Sequence, residues 1–378
     1  PIIFVHGLVG NASSWTDGPA GIYDIVDYLT ETGGNAYGIP SLSDGGVINV
    51  SLDYGRDDDH YLTNLDIDVH VFNSDSVPYN KDFYRINFGV HAKTGDPFST
   101  PDNVSDVIGI LSSTQTLISV LHPERFLVND IVAIDNEIMK VVAISGSDIT
   151  VLRGQCNTTP AAHIINVVTL PTLPPTIVTF PVQMFNLYKE SNQSSIFKQG
   201  LGLKKVIDLV KTATTSEKVI LVGHSMGGLA IREYMRTYYP ERHDVAKIVT
   251  TGTPHWGSNL TEVYDFFPTS VIGMDPHSDA FRDLRTGGNG LMQLLYGELG
   301  TYIYGGNEAE NSDDFYSKDV NCDGDEADYI TGINTNSALQ TIYNVPHTWI
   351  VSSCCPSVPV LLGQNDGIVL TKSQYVFD

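Results

Sequence analysis

Basic residues are scarce in this chain. Its 378 residues include 21 Lys and Arg against 44 Asp and Glu, which gives a formal net charge of −23. A phosphate backbone would be repelled by such a chain, so we expect no nucleic-acid partner. Long apolar runs are missing too, since none approaches the roughly 20 residues that a membrane-spanning helix needs. We therefore expect no transmembrane segment, and only peripheral contact with a lipid interface fits this composition.

Cysteine is also rare, with Cys156, Cys322, Cys354 and Cys355 as the complete set. None of them has the spacing of a zinc site, and the adjacent pair is poorly placed to close a disulfide with itself. A bridge from Cys322 to Cys354 or Cys355 would suit an exported protein, and free thiols fit equally well. Because Pro1 already begins an apolar strand, we expect a secreted or cell-surface protein whose targeting segment has been removed.

The run from Lys218 to Gly228 carries the strongest signal in the chain. An apolar, β-rich run leads into Gly-His-Ser-Met-Gly, and an amphipathic helical pattern follows at once. Gly223 and Gly227 have no Cβ, so the chain can turn sharply there and expose Ser225 above the edge of a sheet. This context favours a nucleophile turn over a purely structural glycine-rich turn.

Strand and helix patterns alternate along most of the chain and predict a doubly wound, mostly parallel α/β sheet. Strands are expected at 1–8, 47–52, 67–72, 83–88, 219–222 and 347–353, and another in the run 247–258, which ends in a turn. Pro240 is expected to end the helix after Ser225. In such sheets ligands bind at the carboxyl ends of strands, where Leu8, Ser225 and Asp366 would all lie.

One segment lacks helical periodicity and alternates in short runs instead. We predict an inserted all-β module at 107–172, between core segments at 1–106 and 173–378, with a helical cap at 259–346. The runs at 138–144 and 149–163 resemble small β-modules of phage tails and bacterial surface proteins. That resemblance implies binding or spacing rather than catalysis, with an unknown surface partner. We interpret His163 as structural rather than as a ligand.

Four motifs stand in a fixed order outside this segment. They are Val-His-Gly-Leu at 5–8, Gly-His-Ser-Met-Gly-Gly at 223–228, Gly-Thr-Pro-His-Trp-Gly-Ser at 252–258 and Asn-Asp-Gly-Ile-Val at 365–369. With them the chain resembles the α/β-hydrolase superfamily, specifically bacterial secreted true lipases. The resemblance implies a serine ester hydrolase with Ser225 as nucleophile and Asp366 as the acid that orients a histidine. It also implies an oxyanion hole from the backbone N–H groups of Leu8 and Met226.

The chemistry of acyl transfer asks for the same residues. A serine hydroxyl needs a base to take its proton, and a carboxylate must hold that base in one tautomer. In this superfamily the histidine follows the acid, but none of the twelve residues after Asp366 is His. We expect the histidine beyond residue 378, on a chain truncated here. The alternatives are a substitute among His6, His224, His255 and His347, or an ordinary Asn-Asp-Gly turn at Asp366.

A second candidate site binds metal. Carboxylate and amide oxygens alternate around Gly324 as in a calcium loop, although Ile330 occupies the twelfth position, where an acid is expected. The candidate ligands are Asp319, Asn321, Asp323, Asp325 and Asp328. We predict a structural Ca²⁺ at this loop, against the alternative of a solvated acidic loop, and no organic cofactor.

These features together predict hydrolysis of acylglycerols or other lipophilic esters through an acyl-enzyme on Ser225. The aromatic-rich segment at 259–346 is expected to form a cap that contributes to an acyl pocket. Two alternatives are open at this point. The same nucleophile could transfer the acyl group to an acceptor other than water, or the protein could be a surface-binding protein with a decayed hydrolase core.

Overall fold

The structure is a computed structural model, and it describes residues 1–7, 12–15, 25–30, 40–52, 69–72, 74–97, 103–156, 158–164, 166–170, 176–189, 191–258, 275, 278–284 and 336–351. The strands are β1 Ile2–Val5, β2 Asp44–Ser51, β3 His70–Val71, β4 Phe83–Asn87, β5 Val104–Asp106, β6 Leu117–Ser119, β7 Ile131–Ile134, β8 Glu137–Ser145, β9 Asp148–Gln155, β10 Asn166–Leu170, β11 Thr176–Phe180, β12 Gln183–Asn186, β13 Val219–His224, β14 Val245–Thr251 and β15 His347–Ile350. The helices are α1 Ile25–Thr30, α2 Ile196–Thr214, α3 Met226–Thr237, α4 Tyr239–Arg242, α5 Asp279–Asp283 and α6 Asn336–Tyr343.

A seven-stranded sheet carries the candidate site. Its order is β15-β14-β13-β1-β4-β2-β3, and every neighbouring pair is parallel except the β2–β3 pair. The apolar runs of β1 and β13 are central, and their pairing places Val5 opposite Gly223. Both strands therefore end at one edge of the sheet, the edge at which parallel α/β sheets bind ligands. The predicted mostly parallel α/β sheet agrees with this arrangement.

Helix α2 packs against this sheet with one apolar face. Its buried positions include Leu203, Val206, Ile207 and Val210, which recur at the three- and four-residue spacing of a helix face. Ser195 caps the first turn by accepting a hydrogen bond from the Lys198 N–H at 3.2 Å. A helix of this kind is held in place mainly by the burial of its apolar face rather than by its intrinsic propensity.

Asp283, the last residue of α5, caps the N-terminus of α2 and so connects the two helices. The Asp283 carboxylate accepts a hydrogen bond from the Ile196 N–H at 2.8 Å. Both residues are buried, and a carboxylate at a helix N-terminus is stabilised by the helix dipole. The described part of the segment after β14 is therefore anchored at the beginning of α2.

A second sheet is antiparallel, with the order β5-β12-β7-β8-β9-β6. Its two outer strands are joined beyond their ends, since the Ile108 N–H donates to the Ser119 carbonyl (2.7 Å) and the Leu121 N–H to the Asp106 carbonyl (3.0 Å). The sheet thus closes into a small barrel, which we call the β-barrel. Its interior is aliphatic, apart from one aromatic ring: Val107, Leu111, Ile118, Val120, Phe126, Val132, Ile134, Met139, Val141, Ile149, Val151, Val182 and Met184.

The β-barrel uses strands from outside the predicted inserted module. Strands β5 and β12 both lie outside the 107–172 bounds, because their alternating pattern is too short to stand out in the sequence. Whether the β-barrel is an inserted domain with a partner of its own stays a prediction.

The position of Pro240 differs from the expectation, because Pro240 lies in the first turn of α4 rather than only ending α3. No helix among the described residues is long and apolar enough to cross a membrane.

One outer face of the β-barrel packs on the first, seven-stranded sheet. His91, which follows β4, places its Nε2 3.0 Å from the Asp130 carboxylate, and both residues are buried. The Asn186 amide donates to the other Asp130 oxygen at 2.6 Å. An apolar cluster surrounds this contact: Ala92, Val104, Ile131, Ala133, Ile138, Phe185, Leu187 and Tyr188. The β-barrel therefore joins the first sheet at the edge where β4 ends.

A buried ionic network explains the charged residues that the sequence places in the β-barrel. Arg153 donates two hydrogen bonds to the Glu137 carboxylate, each 2.6 Å long, and the Ala161 N–H donates a third at 2.9 Å. His163 lies between Glu137 (3.0 Å) and Asp135 (2.7 Å). His163 is buried by strand pairing, so its contacts are structural.

This network makes the stability of the β-barrel depend on pH. Burial alone would raise the pKa of Glu137, but Arg153, Ala161 and His163 bring it down to about 2. Burial would lower the pKa of His163, yet the hydrogen bonds to Asp135 and Glu137 raise it above its usual 6.5. We expect the Glu137 contribution to be lost as pH falls from 4.5 towards about 2. The His163 contribution is complete below 6.5 and is lost as pH rises through the higher folded pKa.

Thermal unfolding between acid and mildly alkaline pH tests this profile. The melting temperature should be highest between the two limbs, and His163→Ala should flatten the alkaline limb. An alkaline limb that is unchanged in His163→Ala would contradict the assignment to His163.

Candidate active site

Ser225 occupies a strained turn between β13 and α3. Its φ is 51° and its ψ is −127°, in a region that L-residues other than glycine rarely adopt. Such a conformation costs on the order of 1–3 kcal/mol and persists only where the surroundings enforce it. The Ser225 N–H donates to the Thr251 carbonyl at 2.8 Å, and the Ser225 carbonyl accepts from the Gly228 N–H at 3.0 Å. Its side chain does not cap α3. The turn holds the backbone of Ser225 and leaves its half-buried hydroxyl available.

Glycines make this turn possible by close backbone approach. A Cβ on Gly223 would lie 2.7 Å from the Cα of Gly228, and a Cβ on Gly227 would lie 2.6 Å from the His6 carbonyl oxygen. A Cβ on Gly7 would lie 2.7 Å from the Cβ of Ser225. The beginning of α3 is therefore packed directly on the loop that follows β1. The two glycines that flank Ser225 in the sequence motif are required by these contacts.

We expect Gly227→Ala to destabilise the protein by about 1–3 kcal/mol, because the atoms it meets are backbone and cannot rotate away. It should also lower any turnover at Ser225 by displacing the loop after β1. Urea unfolding and initial rates on a soluble ester measure the two effects. Gly146→Ala on the β-barrel is the control for turnover. Its Cβ meets nothing within 4 Å, but its φ of 60° strains an alanine, so this variant should lose some stability and keep its turnover. Equal losses of turnover in both variants would show that the contact with the β1 loop is unimportant.

Of the two backbone donors predicted for an oxyanion hole, Met226 is among the described residues. Met226 is the first residue of α3, so its N–H belongs to the helix-end groups that have no intrahelical partner. The Met226 side chain is buried and accepts a hydrogen bond from the Gln199 amide at 3.5 Å. Leu8 lies outside the described residues, and the structure places its neighbour Gly7 against Ser225. Met226 and Gly7, the residue before Leu8, therefore both lie beside Ser225.

The histidine beside this point is held in one neutral tautomer. His6 is buried, its Nδ1 lies 2.8 Å from the Gly7 carbonyl, and its Nε2 accepts from the Phe88 N–H at 2.9 Å. The Nδ1 must therefore carry the proton. Burial, together with His224 and against the Gly7 hydrogen bond, lowers the pKa of His6 to about 4. With both nitrogens engaged, His6 shapes the loop after β1 and cannot act as the base.

Two more histidines, His255 and His347, belong to a hydrogen-bonded network that was not predicted from the sequence. Arg232 of α3 donates to the His255 carbonyl at 2.9 Å, and its Nη1 lies 3.4 Å from the His255 Nδ1. The Thr250 hydroxyl lies 3.3 Å from the Nε2 of His255 and 3.2 Å from that of His347. A signal was present, since Arg232 follows Gly228 by four positions and so shares its buried helix face.

Burial keeps both of these histidines neutral. Burial first, and then Arg232 and His347, lowers the pKa of His255 well below its usual value. Burial and then Arg232 lower the pKa of His347 to about 4. These rings fix the loop at 252–258 to α3 and β15. Among the described residues, no histidine nitrogen is hydrogen-bonded to the Ser225 hydroxyl.

The remaining predicted site residues lie outside the described residues. They are Asp366, the calcium candidates Asp319, Asn321, Asp323, Asp325 and Asp328, and the cysteines Cys322, Cys354 and Cys355. Cys156 is a free, half-buried thiol. Within the described part of the chain, no group of three or more His, Cys, Asp or Glu residues could hold a metal ion.

Comparison with known proteins supports the α/β-hydrolase superfamily. Residues 181–276, which include the Ser225 turn, match a family described as an alpha/beta hydrolase of unknown function. A triacylglycerol lipase of Pseudarthrobacter phenanthrenivorans is 39% identical over 77 residues, covering 20% of this chain and 23% of that lipase. A triacylglycerol lipase of Burkholderia plantarii is also 39% identical over 77 residues, covering 20% of this chain and 21% of that lipase. The chain thus matches about a fifth of the length of these curated relatives.

Similarity to solved structures is low. A mature lipase of Bacillus licheniformis is 23% identical over 28% of this chain and 42% of its own, with a TM-score of 0.23. A gene product of Listeria innocua is 14% identical over 76% of this chain and 64% of its own, with a TM-score of 0.28. TM-scores of this size do not establish a shared fold. The hydrolase assignment depends on the family match and on the relatives in sequence.

Proposed function

We propose that this protein is a serine carboxylic-ester hydrolase that acts on acylglycerols or other lipophilic esters through an acyl-enzyme on Ser225. The observation that supports it is the left-handed backbone of Ser225 between a parallel strand and a helix. A serine forced into this conformation and packed against the loop after β1 is the arrangement of a nucleophile elbow. The match to hydrolases and the names of the lipase relatives support the same reaction class.

In this proposal the Ser225 hydroxyl attacks the ester carbonyl and a base takes its proton. The tetrahedral oxyanion accepts hydrogen bonds from the backbone N–H groups of Met226 and Leu8. Collapse of the intermediate expels the alcohol and leaves the acyl group on Ser225, and water then releases the acid. Removal of one oxyanion-hole donor typically costs about 2.7–4 kcal/mol in acyl transfer.

The base and its orienting acid complete the proposal. Asp366 is proposed to orient the histidine that acts as this base. His6, His255 and His347 are unsuited to the role, because their ring nitrogens are engaged in hydrogen bonds within the fold. His224, which is exposed and directly precedes Ser225, stays the alternative among the four histidines. Secretion, a structural Ca²⁺ at residues 319–328 and an acyl-binding cap at 259–346 are parts of the same proposal.

The reaction is tested by following acid release from glycerol and aryl esters of increasing acyl length. We expect turnover that depends on Ser225, with the free acid as product. Adding an alcohol acceptor distinguishes the alternative, since an acyltransferase would form a new ester at the expense of the acid. If neither the free acid nor the new ester forms, a surface-binding role with a decayed hydrolase core is favoured.

A further inference from the structure

The β-barrel exposes an apolar face that neither its own interior nor the first sheet uses. Six aliphatic side chains on it are between 50% and 64% exposed. They are Ile108, Ile110, Leu117, Leu121, Leu152 and Ile164, and we call them the distal face.

Strand pairing makes these residues neighbours. The Val107–Val120 bridge puts Ile108 opposite Ser119, and Leu117 lies two residues from Ser119 on the same side of β6. Leu117 pairs with Thr150, two residues from Leu152. The Leu111–His163 bridge likewise sets Ile110 opposite Ile164, while Leu111 and His163 themselves point inward. The distal face is therefore continuous across β9, β6 and the segment after β5.

The distal face points away from the first sheet. Around the closed β-barrel, the strands that pack on the first sheet are β5, β12, β7 and the beginning of β8. Strands β9 and β6 follow on the other side of the ring. Exposure of so many aliphatic side chains costs solubility and contributes nothing to the interior, so a binding role explains the face better than folding does.

Charge is sparse on this surface. Residues 107–121 include no Asp, Glu, Lys or Arg, in a chain whose net charge is −23. The charged residues at its edges include Asp106 opposite Leu121, Asp148 opposite Ser119 and Lys140 opposite Leu152. Arg153 follows Leu152, but its guanidinium is paired with Glu137 and is 5% exposed. A basic cluster of the kind that attracts anionic lipid or nucleic acid is therefore missing from these flanks. A second copy of the chain would also be repelled by its like net charge.

The side-chain chemistry favours lipid over protein. The distal face is made only of Ile and Leu, whereas the residues that dominate protein interfaces are Trp, Tyr and Arg. Strand addition is also blocked, because the Ser119 carbonyl accepts the Ile108 N–H and the Leu117 carbonyl accepts the Gln115 amide at 2.8 Å. Aliphatic side chains flanked by Ser112, Ser113 and Thr114 suit the boundary between acyl chains and uncharged headgroups.

We propose that the distal face docks the protein on an uncharged lipid surface by inserting Ile108, Ile110, Leu117, Leu121, Leu152 and Ile164 among acyl chains. The docking depends on the β-barrel and not on the chemistry of Ser225. Docking would hold the first sheet, which carries Ser225, close to a lipid aggregate, since the β-barrel is attached to that sheet through the His91–Asp130 contact.

Sedimentation with phosphatidylcholine vesicles and with phosphatidylglycerol vesicles tests the proposal on the full chain. We expect binding to phosphatidylcholine that does not weaken as salt is raised, and weaker binding to phosphatidylglycerol. The double variant Ile110→Asp/Ile164→Asp should lower the partition coefficient by about tenfold or more, because it places charge on the central pair. Tyr79→Asp is the matched control, since Tyr79 is 71% exposed and lies outside the β-barrel.

Three outcomes would overturn the proposal. They are no binding to phosphatidylcholine, equal loss of binding in Tyr79→Asp, or a wild-type oligomer that becomes monomeric in the double variant without any lipid binding. Circular dichroism of both variants checks that they fold. Turnover of a soluble ester should be the same in both, so that failure of the proposed hydrolase and failure of the docking surface are distinguishable.

Discussion

Ser225→Ala is expected to abolish ester hydrolysis while leaving the fold intact. Removing the hydroxyl removes the acyl-enzyme, and losses of about 10³-fold or more follow when the nucleophile of such a site is deleted. The hydroxyl caps no helix, and the backbone bonds of Ser225 to Thr251 and Gly228 do not involve the side chain. The melting temperature should therefore be unchanged.

Ser195→Ala is a suitable comparison for this experiment. Ser195 lies in the same part of the chain in sequence, but its hydroxyl caps α2 by accepting the Lys198 N–H. That variant should lose about 1 kcal/mol of stability and keep its turnover in the folded protein. Acid release measured at saturating soluble ester separates the two effects. Equal activity in Ser225→Ala and wild type would exclude Ser225 as the nucleophile.

Glu137→Gln is expected to have the largest effect on stability. The change leaves the Arg153 guanidinium, whose side chain is only 5% exposed, without its charged partner. It also removes the counter-charge that raises the pKa of His163. Breaking a buried pair by removing one partner costs about 3–5 kcal/mol, because the remaining charge stays buried. We expect a corresponding fall in the unfolding midpoint measured by far-UV circular dichroism.

The same β-barrel offers a matched control. Glu124 pairs with His122 at 3.0 Å, but its side chain is 67% exposed, so Glu124→Gln should leave the midpoint unchanged. The three tryptophans, Trp15, Trp256 and Trp349, all lie outside the β-barrel, so their fluorescence reports the first sheet separately. A shift in Glu137→Gln no larger than in Glu124→Gln would contradict the role given to the network.

The parts of the fold that were predicted from sequence are those with strong local patterns. Strands β1, β4, β13 and β15 agree with apolar runs bounded by glycine or polar residues, and the turn at Ser225 agrees with its two flanking glycines. The pairing of β12 with β5 and β7 was not predicted, because it joins short segments that are far apart in sequence. Closure of the β-barrel depends on the same kind of long-range pairing.

In the candidate site, too, local motifs were predicted and contacts between distant segments were not. Ser225 and Met226 follow from one contiguous motif, whereas the network of Arg232, Thr250, His255 and His347 is assembled from three elements. A sequence pattern gives no distance between such elements. The neutral state of His6 could not be predicted either, since it results from complete burial between Gly7 and Phe88.

Mapping the site of a serine-directed fluorophosphonate adduct tests the central claim most directly. Trypsin cleaves after Lys218 and Arg232, and the peptide between them contains Ser225 as its one serine. The account predicts that mass spectrometry of the reacted protein finds the adduct on this peptide, and that Ser225→Ala loses it. An adduct on another peptide, or none on the folded protein, would contradict the assignment of Ser225 as the nucleophile.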